Sequence, residues 1–246
     1  MKNLKLCCFL MLTALIFALP QAVFAQKTTK TNTTISTKQT TVSESEISGG
    51  LKEALGKGVT KAVKELGKED GFLNNAKVKI PLPKQLQTIE KGLRVAGQGK
   101  IADEFVETMN HAAEKAVSES LPIFTNSLKQ MTLQDARTIL TSGESDSATQ
   151  FFRRTSEAQL RDKFMPIVKK FTEETGVTAQ YKQLTAKAGF LTALNGKNKL
   201  DIDEYVTGKA MDGLFLLIAE EEKNIRQNPL GRTTDLLRKV FGIGKK

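Results

Sequence analysis

The chain has 246 residues, 39% of them hydrophobic and 26% charged, with a formal charge of +10. Its two cysteines, Cys7 and Cys8, both lie in an apolar leader, which leaves the rest of the chain without a disulfide, a cysteine-ligated metal or a thiolate nucleophile. One histidine, His111, excludes zinc sites of the two- or three-histidine type. No cofactor is expected.

Lys2 and Lys5 open the chain, Leu6 to Leu19 is almost wholly apolar, and Val23-Phe24-Ala25 puts short residues where a signal peptidase reads them. An apolar core of about 14 residues falls short of the roughly 20 that span a bilayer. Residues 1–25 therefore read as a signal peptide cut after Ala25, and the protein as periplasmic or secreted. Residues 26–46 are mostly Thr, Ser, Lys and Gln and bury too little apolar surface to offset chain entropy, so a flexible polar tether is expected there. Residues 47–246 are expected to form a single all-α domain of about eight to ten helices. The body interleaves Lys and Arg with Asp and Glu, without the basic and aromatic clustering of a nucleic-acid binder. Nucleic acid is thus excluded as a partner, and membrane contact is peripheral at most.

From Ser48 to Leu66, Leu51, Leu55, Val59, Ala62, Val63 and Leu66 recur at helical steps. The stretch GFLNNAKVKIPLP comes next, at 71–83. Its alternation sets Val78, Ile80 and Leu82 on one side and Lys77, Lys79 and Pro81 on the other, which predicts a short extended or β-edge segment near 77–82. Asn74 and Asn75 supply a turn before it, and Pro83 suits the first turn of a helix carrying Leu86, Ile89 and Leu93. Gly97 and Gly99 separate that helix from one at 100–118, which points Ile101, Phe105, Met109, Ala112, Ala113 and Ala116 inward and Asp103, Glu104, Glu107 and Glu114 elsewhere.

Ile123, Phe124 and Leu128 mark a shorter helix, and Thr132 with Asp135 forms a capping box opening the next. A short helix with Phe151, Phe152, Arg153 and Arg154 is then expected, and after it a longer one over 156–175, kinked or broken at Pro166. Two short helices over 178–187 and 190–194 precede a strong one over 201–227, capped by Asp201 with Glu204 and apolar nearly all round in GLFLLIA. A final amphipathic helix over 234–241 either docks on the domain or touches a membrane surface.

No catalytic or metal-binding set emerges. His111 lies four residues after Glu107, close enough on a helix for an acid–base pair. With Glu104 and Arg153 these two are the candidates for a carboxylate-based enzyme; a surface or capping histidine is the simpler account. Residues 195–206 resemble half a calcium loop, but Ala193 and Lys197 stand where ligands are needed. Glu220, Glu221 and Glu222 span too wide an arc to share one ion; one pairs with Lys223 or Arg226 and the others are expected to be solvated.

The ordered blocks DGFLNN, KIPLP, ETMNHAAEKAV, QMTLQDARTIL, ATQFFRRT, FMPIV, DIDEYVTGKAMDGLF and RTTDLLRKVFG together resemble an uncharacterised exported bacterial family, domain of unknown function 4197. The resemblance implies a signal peptide and a helical domain, and assigns no activity, ligand or functional residue. The position of His111 is typically basic in that family. From residues and resemblance together, the expected function is an exported, non-enzymatic helical protein that takes an apolar ligand or an envelope partner. An enzyme around Glu104, Glu107, His111 and Arg153 is one alternative, and a subunit of an envelope assembly the other.

Overall fold

A computed structural model describes residues 43–176, Ala179 and 201–227, all within one compact unit. Among them are seven α-helices: α1 (Glu44–Leu66), α2 (Lys84–Val95), α3 (Gly99–Ser118), α4 (Leu121–Gln130), α5 (Leu133–Thr141), α6 (Ser147–Glu174) and α7 (Ile202–Gln227). The described part is all-α. The helices expected over 178–187, 190–194 and 234–241 lie outside the described residues, as do the leader and most of the tether.

The capping chemistry read from the sequence forms where it was expected and once more besides. At α5 the Asp135 amide donates to Thr132 Oγ1 at 3.1 Å and the Thr132 amide to Asp135 Oδ2 at 3.0 Å. Asp201 Oδ1 accepts from the Glu204 amide at 3.0 Å at the start of α7. The addition is Ser43 with Glu46, a full capping box that starts α1 at residue 44. Helical order thus begins three residues before the expected domain boundary, because the end of the polar segment serves as a cap.

Two further expectations are corrected. Residues 147–174 form one helix, with Pro166 inside it and no break between the FFRR segment and the longer stretch over 156–174. A proline removes one intrahelical donor; burial of Leu160, Phe164 and Val168 on both sides of it holds the helix together. The central part of α7 is buried over a wide arc but not all round. Leu216 is 42% exposed, between buried Phe215 and Leu217.

The core is built where α7 packs against α1, α3 and α6, with α3 also facing α2 and α6. Four of its aromatics, Phe124, Phe151, Phe152 and Phe215, form one edge-on cluster. Phe124 meets Phe152 edge-on at 5.3 Å between ring centroids and Phe215 at 6.2 Å. Fully burying a side chain of this kind is worth about 1.5–3 kcal/mol.

The one long non-helical connection among the described residues, 67–83, is pressed onto this core. Val78, Ile80 and Leu82 are buried and Lys77, Lys79 and Pro81 exposed, as the alternation predicts. Residues 76–78 form a turn and 79–83 have no regular structure, so the expected extended or β-edge segment is corrected at its start, and none of it pairs with a strand among the described residues. Asn75 shapes its entry by accepting from the amides of Lys77, Val78 and Lys79. Two glycines permit the approach. A Cβ at Gly71 would lie 2.5 Å from the Glu65 carbonyl oxygen, and one at Gly213 of α7 would lie 2.8 Å from a Phe72 ring carbon and 3.1 Å from Val78 Cβ.

Gly213→Ala therefore forces Phe72 and Val78 off α7, and we expect a loss of about 1–3 kcal/mol in urea unfolding. A second prediction concerns acid. The Thr132 hydroxyl hydrogen bond, opposed by desolvation and assisted by the Thr132 amide and Arg154, holds the Asp135 carboxyl below its ordinary value. Its contribution is complete above the ordinary aspartate range and is lost as pH falls through the lowered value. The stability gap between the native chain and Asp135→Asn should be constant at neutral pH and close below about pH 4 in pH-resolved melting.

Candidate functional site

Three buried polar side chains control how the irregular segments meet the helices. Asn110, on the buried face of α3, receives the Ile80 amide at Oδ1 (2.8 Å) and donates from Nδ2 to the Ile80 carbonyl (2.9 Å). A side-chain amide offers the same donor and acceptor as a peptide unit. Asn110 thus gives Ile80 the partner that a neighbouring strand would supply.

One turn on, Glu114 is only 4% exposed. Its carboxylate accepts from the amides of Phe72 (2.9 Å), Asp70 (3.2 Å) and Leu73 (3.3 Å). Asp70 itself sits at φ +61°, a left-handed conformation rare outside glycine. Three converging amides offset the cost of burying the charge. The expectation that Glu114 faces away from the core is therefore corrected: it closes the edge of a wide buried arc that already holds Ala113 and Val117.

Glu222, 3% exposed, does the same work for α6. Asp146 makes no side-chain cap there. Instead Glu222 accepts from the amides of Ala148 (2.9 Å) and Thr149 (2.8 Å) and from the Thr149 hydroxyl (2.9 Å), capping that helix from another. Arg226 Nη2 donates to Glu222 (2.7 Å), to the Ile139 carbonyl (2.9 Å) and to Ser147 Oγ (2.6 Å). The pairing of one of the three glutamates with Arg226 is as expected. The solvation of the others is corrected, since Glu220 reaches Lys77 and Glu221 reaches Lys61, each at 2.7 Å.

The sequence-derived candidates go to separate duties. Glu104 is half-buried and pairs with Lys100 at 3.5 Å. Glu107 is exposed, and among the described residues it has no partner. His111 does not pair with Glu107: its Nε2 lies 3.2 Å from Asp70 Oδ1 and 3.9 Å from Glu114 Oε2. Arg153 lies over the Phe215 ring, 4.3 Å from its centroid, with Glu157 at 4.0 Å. Arg154 lies over Phe151 and reaches Asp135 at 3.0 Å. Among the described residues no three His, Cys, Asp or Glu side chains gather as a metal-binding group.

What the described surface does offer is an open groove of about 840 Å³ along α1 and α4. Lys57, Lys61, Lys64 and Lys68 line it together with Glu53 and Glu65, and Gly56, Thr60, Thr125 and Leu128 lie between them. Lys57, Lys61 and Lys64 recur at steps of four and three residues, which places them on one face of α1, and Lys68 follows just past the helix end. Lys57 pairs with Glu53 and Lys61 with Glu221, both at 2.7 Å. The Glu221 hydrogen bond, against desolvation, holds the Lys61 ammonium above its ordinary value. Lys64 and Lys68 have no acidic partner among the described residues. This row was present in the sequence, but its interleaving with Glu53 and Glu65 made it read as an ordinary solvated face.

Residues 41–242 match the family described as "Protein of unknown function (DUF4197)". The chain belongs to this family. No curated protein and no solved structure matches it. Membership in DUF4197 therefore brings no activity with it, and function has to be argued from the groove and from how the buried polar groups are used.

Asn110→Leu keeps much of the volume and strands both the amide and the carbonyl of Ile80. At about 1–3 kcal/mol for each of these two unsatisfied buried groups, we expect a loss of about 2–6 kcal/mol in chemical denaturation. Hydrogen exchange at the Ile80 amide should quicken more than at amides within α6.

Proposed function

We propose that this DUF4197 protein is an exported, non-enzymatic binding protein that meets an envelope component through the lysine-lined groove of α1 and α4. The observation that carries this reading is a division of labour among the charged groups. Glu114, Glu222, Asp70, His111 and Arg226 are engaged in holding backbone or one another, whereas Lys64 and Lys68 stand in an open groove without acidic partners among the described residues. The four candidates for a carboxylate enzyme hold separate positions, which favours binding over chemistry.

Between an apolar ligand and an envelope partner, the second is better supported. Of the inward aromatics that motivated an apolar ligand, Phe124, Phe151, Phe152 and Phe215 pack on one another at 5.3–6.2 Å, and Phe72, Phe105 and Phe164 are fully buried in the core. Among the described residues the exposed large hydrophobics, Val95, Leu133 and Leu216, stand on three different helices, which gives an assembly reading little to rest on. Export rests on the leader pattern of residues 1–25, and no helix among the described residues is long and apolar enough to cross a membrane.

Expression of the full chain with a C-terminal tag in a Gram-negative host, with fractionation and N-terminal sequencing of the product, tests the export half. The expected product leaves the cytoplasm and begins at Gln26. A cytoplasmic product that retains Met1 overturns it.

A further inference from the structure

We propose that the groove of α1 and α4 is a binding site for a linear phosphate polymer that carries no bases, laid along the lysine row. This rests on the reading of the protein as an envelope-binding protein and names the ligand class of the same groove. At 1.5 Å of rise per residue, Lys57, Lys61 and Lys64 succeed one another on α1 at about 4.5–6 Å, and Lys68 follows just past the helix end. Lys57 and Lys61 already pair with Glu53 and Glu221, so Lys64 and Lys68 are the two ammonium groups that a chain with closely repeated anionic charge would engage first.

The lining selects among polyanions by what it lacks. Leu128 is its one large apolar side chain, whereas a helix seated in a groove uses several apolar anchors at helical spacing. Its walls are helices whose backbone groups are already paired, so an extended acidic peptide would leave its own amides without acceptors. No aromatic ring lines the groove, and base stacking is what holds single-stranded nucleic acid in such a channel. A phosphate chain offers acceptors alone, and lysine offers donors alone.

Nothing else in this sequence has the charge to fill the groove. Residues 26–42, 180–200 and 228–246 contain a single acid, Asp235, among many lysines and arginines. A second copy of a chain with a formal charge of +10 is repelled in the same way.

The test uses the full chain and fluorescently labelled inorganic polyphosphate, read by anisotropy at several salt concentrations. Lys64→Gln/Lys68→Gln removes the two lysines without acidic partners and should leave the melting temperature unchanged. We expect binding at low salt, weakened about tenfold or more in this double variant, with the slope of log affinity against log salt reduced by about 1.4. Lys84→Gln/Lys91→Gln, an equal charge loss on the exposed face of α2, should bind as the native chain does. Unlabelled poly(glycerol phosphate) and polyphosphate compete in separate arms, and whichever displaces the probe more strongly identifies an envelope polymer or free polyphosphate as the source.

The inference is overturned if polyphosphate does not bind, if the two double variants lose affinity equally, or if an oligonucleotide or phosphatidylglycerol vesicles bind as tightly. Parallel fractionation keeps this failure separate from that of the broader reading. A native chain that reaches the envelope yet ignores polyphosphate sinks the ligand class alone, whereas one that stays in the cytoplasm sinks the export reading on which it rests.

Discussion

The fold depends on the clasp that α3 holds on the irregular segment 67–83. A chain segment without secondary structure can be buried only if its amides and carbonyls find partners. Asn110 and Glu114 supply them at one turn's separation on a single helix face. Without that pair, Val78, Ile80 and Leu82 could not be buried except at the cost of stranded backbone groups. With it, the segment fills the space between α3 and α7, and Gly213 marks how closely it is pressed. The Tyr205 hydroxyl adds a further bond to the Pro81 carbonyl at 3.0 Å, and burial pushes its phenol above the ordinary value, so that it remains a donor.

The same device recurs at the other end of α7. Glu222 gives α6 the N-terminal cap that its own sequence lacks, and Arg226 neutralises that carboxylate while reaching the last turns of α5. A buried ion pair is weak evidence for stability taken alone, because desolvation offsets most of the attraction. Here each charge also satisfies backbone groups that would otherwise be orphaned. The buried charges thus fix which helix end meets which, and the aromatics of the core fill the space so defined.

Much of this was legible in the sequence and some was not, for one physical reason. Local features could be read: the three-and-four spacing of the helices, the Thr132–Asp135 box, the Asp201 cap, the break at Gly97, and the alternation that buries Val78, Ile80 and Leu82. Each is decided within a few residues. Asn110, Glu114 and Glu222 act on partners 30, 42 and 74 positions away, and the only local sign of them is a polar residue at the edge of an apolar arc. His111 was singled out for its rarity, and spacing offered Glu107 as a candidate partner beside the simpler reading of a surface or capping histidine; the turn at Asp70 is the nearer neighbour. Of the kink or break expected at Pro166, the break does not occur, because propensity counts the lost donor and not the packing that compensates for it.

The placement of α7 bears on the order in which the chain can be completed. Its glutamates reach Lys61, Lys77 and the start of α6 across 160, 143 and 73–74 positions. The first two pairings are far apart in the chain, and closing such loops is what slows a helical protein. Until residue 222 has emerged, α6 has no cap and α1 has no acid opposite Lys61. The described core is thereby completed only once residue 222 has been made.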